Sequence, residues 1–219
     1  TTNVTIGGAA VVAALGTDTV SVAGVGSGAF ANKNVGNNKA VTVSGYTLTG
    51  ADAGNYNIVQ PTGLTANVTP ANLNVTGVTA TSRTYNGTTG VALGGTAAVT
   101  ALGTDAVSVA GAGTGVFADK NVGTAKPVTV SGFTLAGTDA GNYNIVQPTG
   151  LTANVTTAPL VISGVTAANT TYNGTTVAPL AGTASVTPFL TDIVTVSGTG
   201  VGSFANKNAG TSKAVTVSG

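Results

Sequence analysis

Lysine recurs along this chain beside asparagine and aspartate, a combination that raises covalent chemistry. Lys33, Lys120 and Lys207 sit 87 residues apart, in the strings Phe30-Ala-Asn-Lys-Asn-Val-Gly36, Phe117-Ala-Asp-Lys-Asn-Val-Gly123 and Phe204-Ala-Asn-Lys-Asn-Ala-Gly210. A buried lysine amine beside an asparagine amide, with a carboxylate to carry the proton, can condense to an isopeptide bond with loss of ammonia. Asparagine is plentiful, and Asp105 lies in the same copy as Lys120. The string Lys120-Asn121-Val122-Gly123 also reads as an exposed turn with a solvated lysine, and that is the role we expect. A Thr–Gln ester through Gln60 or Gln147 is a weaker candidate of the same kind.

Hydrolytic catalysis lacks its parts. The chain has no His and no Cys, so there is neither an imidazole base nor a thiol nucleophile, and every carboxylate is an Asp. The six Asp fall at three repeat positions: Asp18, Asp105 and Asp192; Asp52 and Asp139; and Asp119 alone. Residues at repeated positions usually serve the fold, so turn and capping roles are expected. Calcium takes about six to eight oxygens, several from carboxylates, and these Asp are scattered with no Asp-x-Asp cluster. We therefore expect no catalytic residue, no metal site and no cofactor. Several triplets match the glycosylation sequon, among them those beginning at Asn67, Asn74, Asn86, Asn154, Asn169 and Asn173, and arise by chance in so Asn- and Thr-rich a chain.

These residues recur because nearly everything around them does. Aligning residues 1–69 with 88–156 requires no gap and leaves 52 of the 69 positions identical. A period this long means beads on a string, not solenoid coils. The expected division is a partial copy over 1–70 lacking its first strands, a complete copy over 71–157, and a partial copy over 158–219 lacking its last strands. A window onto a longer array is the natural reading.

Composition narrows the partners. Charged residues make up 6 % of the chain and the net charge is +1, against about a quarter charged in ordinary globular chains. Nothing here forms a basic footprint for nucleic acid or a polybasic patch for lipid. Hydrophobic content is 42 %, which separates the chain from disordered sequences. The apolar run from Ala9 to Leu15 is far short of the ~20 residues that span a bilayer. Without Cys the copies must hold by packing and sheet hydrogen bonds alone.

The elements that must position these residues read as strands. Leu151-Thr-Ala-Asn-Val-Thr156 alternates with period two, and Val107-Ser-Val109 and Val128-Thr-Val130 are short β-branched runs. In Val41-Thr-Val-Ser-Gly45-Tyr-Thr-Leu48 the apolar phase slips across Gly45, which marks a bulge or bend. Asn86-Gly87 and Asn173-Gly174 are favoured two-residue hairpin turns, with positive φ at both central residues. One helical turn is plausible, at Gly137 to Asn142 and its equivalent Gly50 to Asn55. Aromatics at fixed positions, Phe117, Phe133 and Tyr143 with Tyr85, and Phe30, Tyr46 and Tyr56 in the first copy, read as core. At Pro70 and again at Pro159 the strand pattern runs across the copy junction without a flexible linker, which predicts a stiff rod. The fold class is all-β, of β-grasp-like or small sandwich modules.

Tyr85-Asn-Gly-Thr-Thr89, Phe117-Ala-Asp-Lys-Asn-Val-Gly123, Val128-Thr-Val-Ser-Gly132 and Ala140-Gly-Asn-Tyr143 together resemble the YDG and mostly-β-grasp repeats of large bacterial surface exoproteins of the filamentous-haemagglutinin type. The resemblance covers all three copies. Asn86 and Asn173 stand where that motif carries Asp; asparagine serves a turn equally well, while any role of that Asp in a metal site or cross-link of relatives does not carry over. The resemblance implies a secreted, non-catalytic cell-surface stalk or fibre whose partners are its own neighbouring copies, and it carries over no site residue. Two other readings compete: a self-assembling extracellular filament joined by strand complementation with other copies of the chain, and a Thr/Asn-rich face that binds glycan or another surface.

Overall fold

The computed structural model describes residues 2–219, and it is all-β apart from two single 3-10 turns. One sheet recurs with the period. In the first copy its strands are ordered Asn3–Val4, Ser27–Phe30, Gly36–Ser44 and Thr65–Val68, all antiparallel. In the second copy the order is Gly90–Val91, Thr114–Phe117, Gly123–Ser131 and Thr152–Thr156, with Arg83–Thr84 added parallel to the last strand. The third copy contributes Val177–Ala178, Val201–Phe204 and Val215–Ser218. Alternation chooses the buried face: Val41 and Val43, and likewise Val128 and Val130, point inward while Thr42 and Thr129 point out.

Small two-stranded ladders complete the architecture. Ser21–Ala23 pairs with Thr47–Thr49, and Ser108–Ala110 with Thr134–Ala136. Gly45 and Gly132, at φ +93° and +94°, are where the chain leaves the long strand for this second ladder. A Cβ on Gly45 would lie 2.5 Å from the Val25 carbonyl oxygen, so the slip at Gly45 is a bend that only glycine accommodates. The expected helical turns are the 3-10 turns Ala53–Asn55 and Ala140–Asn142.

The chain forms two compact units, and each draws on two copies. The first comprises Thr1–Val78, Gly95–Gly113 and Ser131–Pro148; the second comprises Thr79–Gly94, Thr114–Val130 and Thr149–Gly219. The core of the first holds Val41, Val43, Leu73, Val75 and Tyr143, and that of the second holds Val91, Phe117, Val128, Ala153 and Val155. Fully burying a valine contributes about 1.5–3 kcal/mol, so each core is modest.

Several sequence expectations are corrected. Phe117 and Tyr143 are buried, but Phe30, Tyr46, Tyr56, Tyr85 and Phe133 are half-buried. Asn86-Gly87 is not a two-residue hairpin. Only Gly87 has positive φ, and the strands flanking it pair elsewhere, Arg83–Thr84 with Thr152–Thr156 and Gly90–Val91 with Thr114–Phe117. Asn86 instead closes a side-chain turn, its Oδ1 accepting the Thr88 N–H at 3.1 Å and the Thr88 hydroxyl at 2.8 Å. Asn173 does the same with Thr175. The strand pattern does resume after Pro70, as Ala71–Asn74, held parallel to Tyr143–Val146. After Pro159 it does not resume until Ser163–Ala167; residues 158–161, which correspond to 71–74, have no such parallel partner among the described residues.

Candidate functional site

A short turn in each copy presents an aspartate. Asp18 N–H bonds the Leu15 carbonyl and Asp105 N–H the Leu102 carbonyl, both at 3.1 Å. The chain then sends a tyrosine back onto that turn from the end of the 3-10 segment. Tyr143 Oη donates to Asp105 Oδ2 at 2.7 Å and accepts the Leu102 N–H at 3.1 Å. Tyr56 does the same in the first copy, donating to Asp18 Oδ2 at 2.7 Å and accepting from Leu15 N–H at 3.0 Å. The second aspartate braces the turn from behind: Asp139 Oδ2 accepts the Ala106 N–H at 2.9 Å and Asp52 Oδ2 the Thr19 N–H at 2.8 Å. Neither caps its own 3-10 turn, so the expected capping role becomes one of closing a long loop.

The lysine that meets this turn belongs to the preceding copy. Lys33 Nζ lies on Asp105 Oδ1 and 3.1 Å from Asp139 Oδ1. Lys120 Nζ lies on Asp192 Oδ1, not on Asp105 in its own copy. Beside Lys33, Asn142 Oδ1 accepts the Val35 N–H at 2.9 Å. At the Lys120 pair a different hydroxyl arrives: Tyr85 Oη donates to Asp192 Oδ2, and its ring stands edge-on to Phe189 at a centroid distance of 6.0 Å. Each lysine and its aspartate are separated by 72 residues, and with the copies divided near residues 70 and 157 both pairs run from one copy to the next.

The electrostatics are those of ion pairs. Lys33 is held protonated above its ordinary value, first by Asp105 and then by Asp139; Lys120 is raised chiefly by Asp192. Asp105 falls below the ordinary carboxylate value through Lys33 and then Tyr143, and Asp192 through Lys120 and then Tyr85. Asp139 is lowered by the Ala106 N–H first and Lys33 second. The phenols of Tyr143 and Tyr85 are pushed up by the carboxylates they serve. The lysine side chains are 43 % and 36 % exposed, and each Nζ faces a carboxylate and not an asparagine amide. The lysine is thus neither a solvated turn residue nor set against an asparagine for condensation. It is a charged clasp between copies, one that adjacency in sequence concealed.

The remaining candidates have local roles. Gln147 Oε1 accepts the Phe133 N–H at 3.2 Å and its Nε2 donates to the Phe133 carbonyl at 2.8 Å; Gln60 repeats this on Tyr46. Each glutamine stands in for a strand partner, which ends the ester reading. Asp119 accepts Lys126 Nζ and the Asn121 N–H. Among the described residues no three His, Cys, Asp or Glu gather as a metal-holding group, and no helix is long and apolar enough to cross a membrane. A groove of about 570 Å³ in the third copy runs between residues 167–177 and 204–215. One period back, the same positions flank the strand Thr152–Thr156, paired with Gly123–Ser131 and Arg83–Thr84.

Fold and clasp together define a tandem array of all-β copies, with Lys33 of the first and Lys120 of the second each paired to the copy that follows. The model of the YDG domain matches residues 1–63, 69–150 and 156–219, and the chain belongs to that family. No curated protein and no solved structure matches it.

Proposed function

We propose that this chain is a non-catalytic structural segment, a stalk or fibre portion of a long bacterial protein displayed outside the cell. The observation that carries the reading is the use made of its few charges. In a chain with six aspartates, three of them, Asp105, Asp139 and Asp192, take lysines from the preceding copy, and the clasp is seen at two successive copies. A neutral, hydroxyl-rich chain without Cys, Met or His suits prolonged exposure to an oxidising exterior.

Two measurements test it. Antibody raised against the chain should label intact, unpermeabilised cells of the source organism; labelling only after lysis overturns the extracellular reading. Small-angle scattering from arrays of two, three and four copies should show the largest dimension growing by one similar step per copy. Growth in all dimensions alike overturns the stalk.

A further inference from the structure

The two clasps differ in which tyrosine they show, and the period relates them. At Asp105 the hydroxyl on Oδ2 comes from Tyr143, later in the same copy; at Asp192 it comes from Tyr85, in the preceding copy. In both, lysine takes Oδ1. A carboxylate oxygen has two lone pairs, so Oδ2 can receive both phenols while Oδ1 keeps the lysine. We infer that the two are partial views of one five-residue recognition site between successive copies. Its donor half is the tyrosine of the Tyr-Asn-Gly motif plus the lysine, typified by Tyr85 and Lys120. Its acceptor half, on the next copy, is two aspartates and a tyrosine, typified by Asp105, Asp139 and Tyr143.

The acceptor half is built in advance. Asp18, Asp52 and Tyr56 hold the same bonds in the first copy that Asp105, Asp139 and Tyr143 hold in the second. No lysine reaches Asp18 among the described residues, so the geometry does not depend on the cation. Preorganisation of this kind lowers the entropic cost of docking the partner. The donor half packs as well as pairs: Tyr85 meets Phe189, and Gly87 lies beneath Leu190. Tyr172, at the Tyr85 position of the third copy, is 61 % exposed, and Lys207 meets no carboxylate among the described residues. The site fits one partner, the Asp–Tyr turn of the following copy, and it operates wherever the array is displayed.

The test is a double-mutant cycle in the 219-residue chain, read by urea unfolding. Lys120→Met and Tyr85→Phe should each be destabilising, and each should depart from additivity with Asp192→Asn by about two- to fivefold in the unfolding equilibrium constant. Lys207→Met and Tyr172→Phe should leave unfolding unchanged. Asp192→Asn should also bring the ionisation of Tyr85, followed by NMR of ring-labelled tyrosine, down toward the ordinary phenol value, which general destabilisation would not do. Should Asp192→Asn prevent folding, the exchanged pair Lys120→Asp with Asp192→Lys supplies the comparison, recovering stability relative to either single change. Additive effects, or a Lys207→Met as damaging as Lys120→Met, overturn the site.

Discussion

Lys33 and Lys39 lie six residues apart, recur together in every copy, and do opposite things. Lys39 curls back within its own loop, its Nζ donating to the Asn32 carbonyl and Oδ1, each at 2.9 Å, while standing 5.1 Å over the Phe30 ring. Lys126 and Lys213 repeat this on Phe117 and Phe204, at 5.4 and 5.2 Å. Lys33 turns the other way and reaches an aspartate 72 residues on. One lysine closes a loop of a few residues and the other a loop of many, so their entropic terms differ although their chemistry matches. Recurrence at the period cannot distinguish a residue that serves its own copy from one that serves the next. Only the partner does.

The sharpest way to break the comparison is to remove the platform of the local lysine. Phe117 is 3 % exposed and carries both Lys126 and Arg83 over its ring. Phe117→Ala should cost about 3–5 kcal/mol in urea unfolding, far more than any loss at the Lys120 clasp. Gly87→Val strikes the stretch that carries Tyr85 to the next copy. Its φ is +77°, and the new Cβ would meet Leu190 and Phe189 at 3.2 Å. A cost of about 1–3 kcal/mol is expected from thermal melts.

The dependence on pH follows from the direction of each shift. Asp105, Asp139 and Asp192 sit below their ordinary value of 3.8, so their contribution is complete above it and lost as pH falls through the lower folded values. Lys33 and Lys120 sit above 10.5, and Tyr85 and Tyr143 above 10.0; their contribution is complete below those values and lost as pH climbs through the raised ones. Unfolding midpoints should therefore be flat over roughly pH 5 to 9 and fall at both ends. Added salt should weaken the half-exposed Lys33 and Lys120 pairs. The smallest effect belongs to Asp119→Asn, which makes the second copy like the first and third. Asn32 and Asn206 already hold Lys39 and Lys213, so its melt should be indistinguishable from wild type.

Strand positions were legible because their cause is local. Period-two alternation at Val41 to Ser44 and at Thr152 to Thr156, and the phase slip at Gly45, each express a backbone preference over a few residues. The 3-10 turns at Ala53–Asn55 and Ala140–Asn142 were legible for the same reason. The clasp was not, because its members are distant in sequence and belong to different copies. A signal was available: all six lysines fall at two repeat positions, and in a chain this poor in charge each such cation calls for a partner. Asn86-Gly87 misled because the dipeptide favours a hairpin only where its flanking strands pair with one another, and here tertiary pairing sends them to different neighbours.

The offset between lysine and aspartate bears on how such arrays change over generations. A substitution at the lysine of one copy is judged by the aspartate of its neighbour, so these positions are coupled across copies. Any insertion or deletion of a whole 87-residue period, wherever the break falls, rejoins a lysine to an aspartate of the same kind. A change in length by whole periods therefore keeps the lysine–aspartate pairing, like a zip that can be cut and resewn at any tooth.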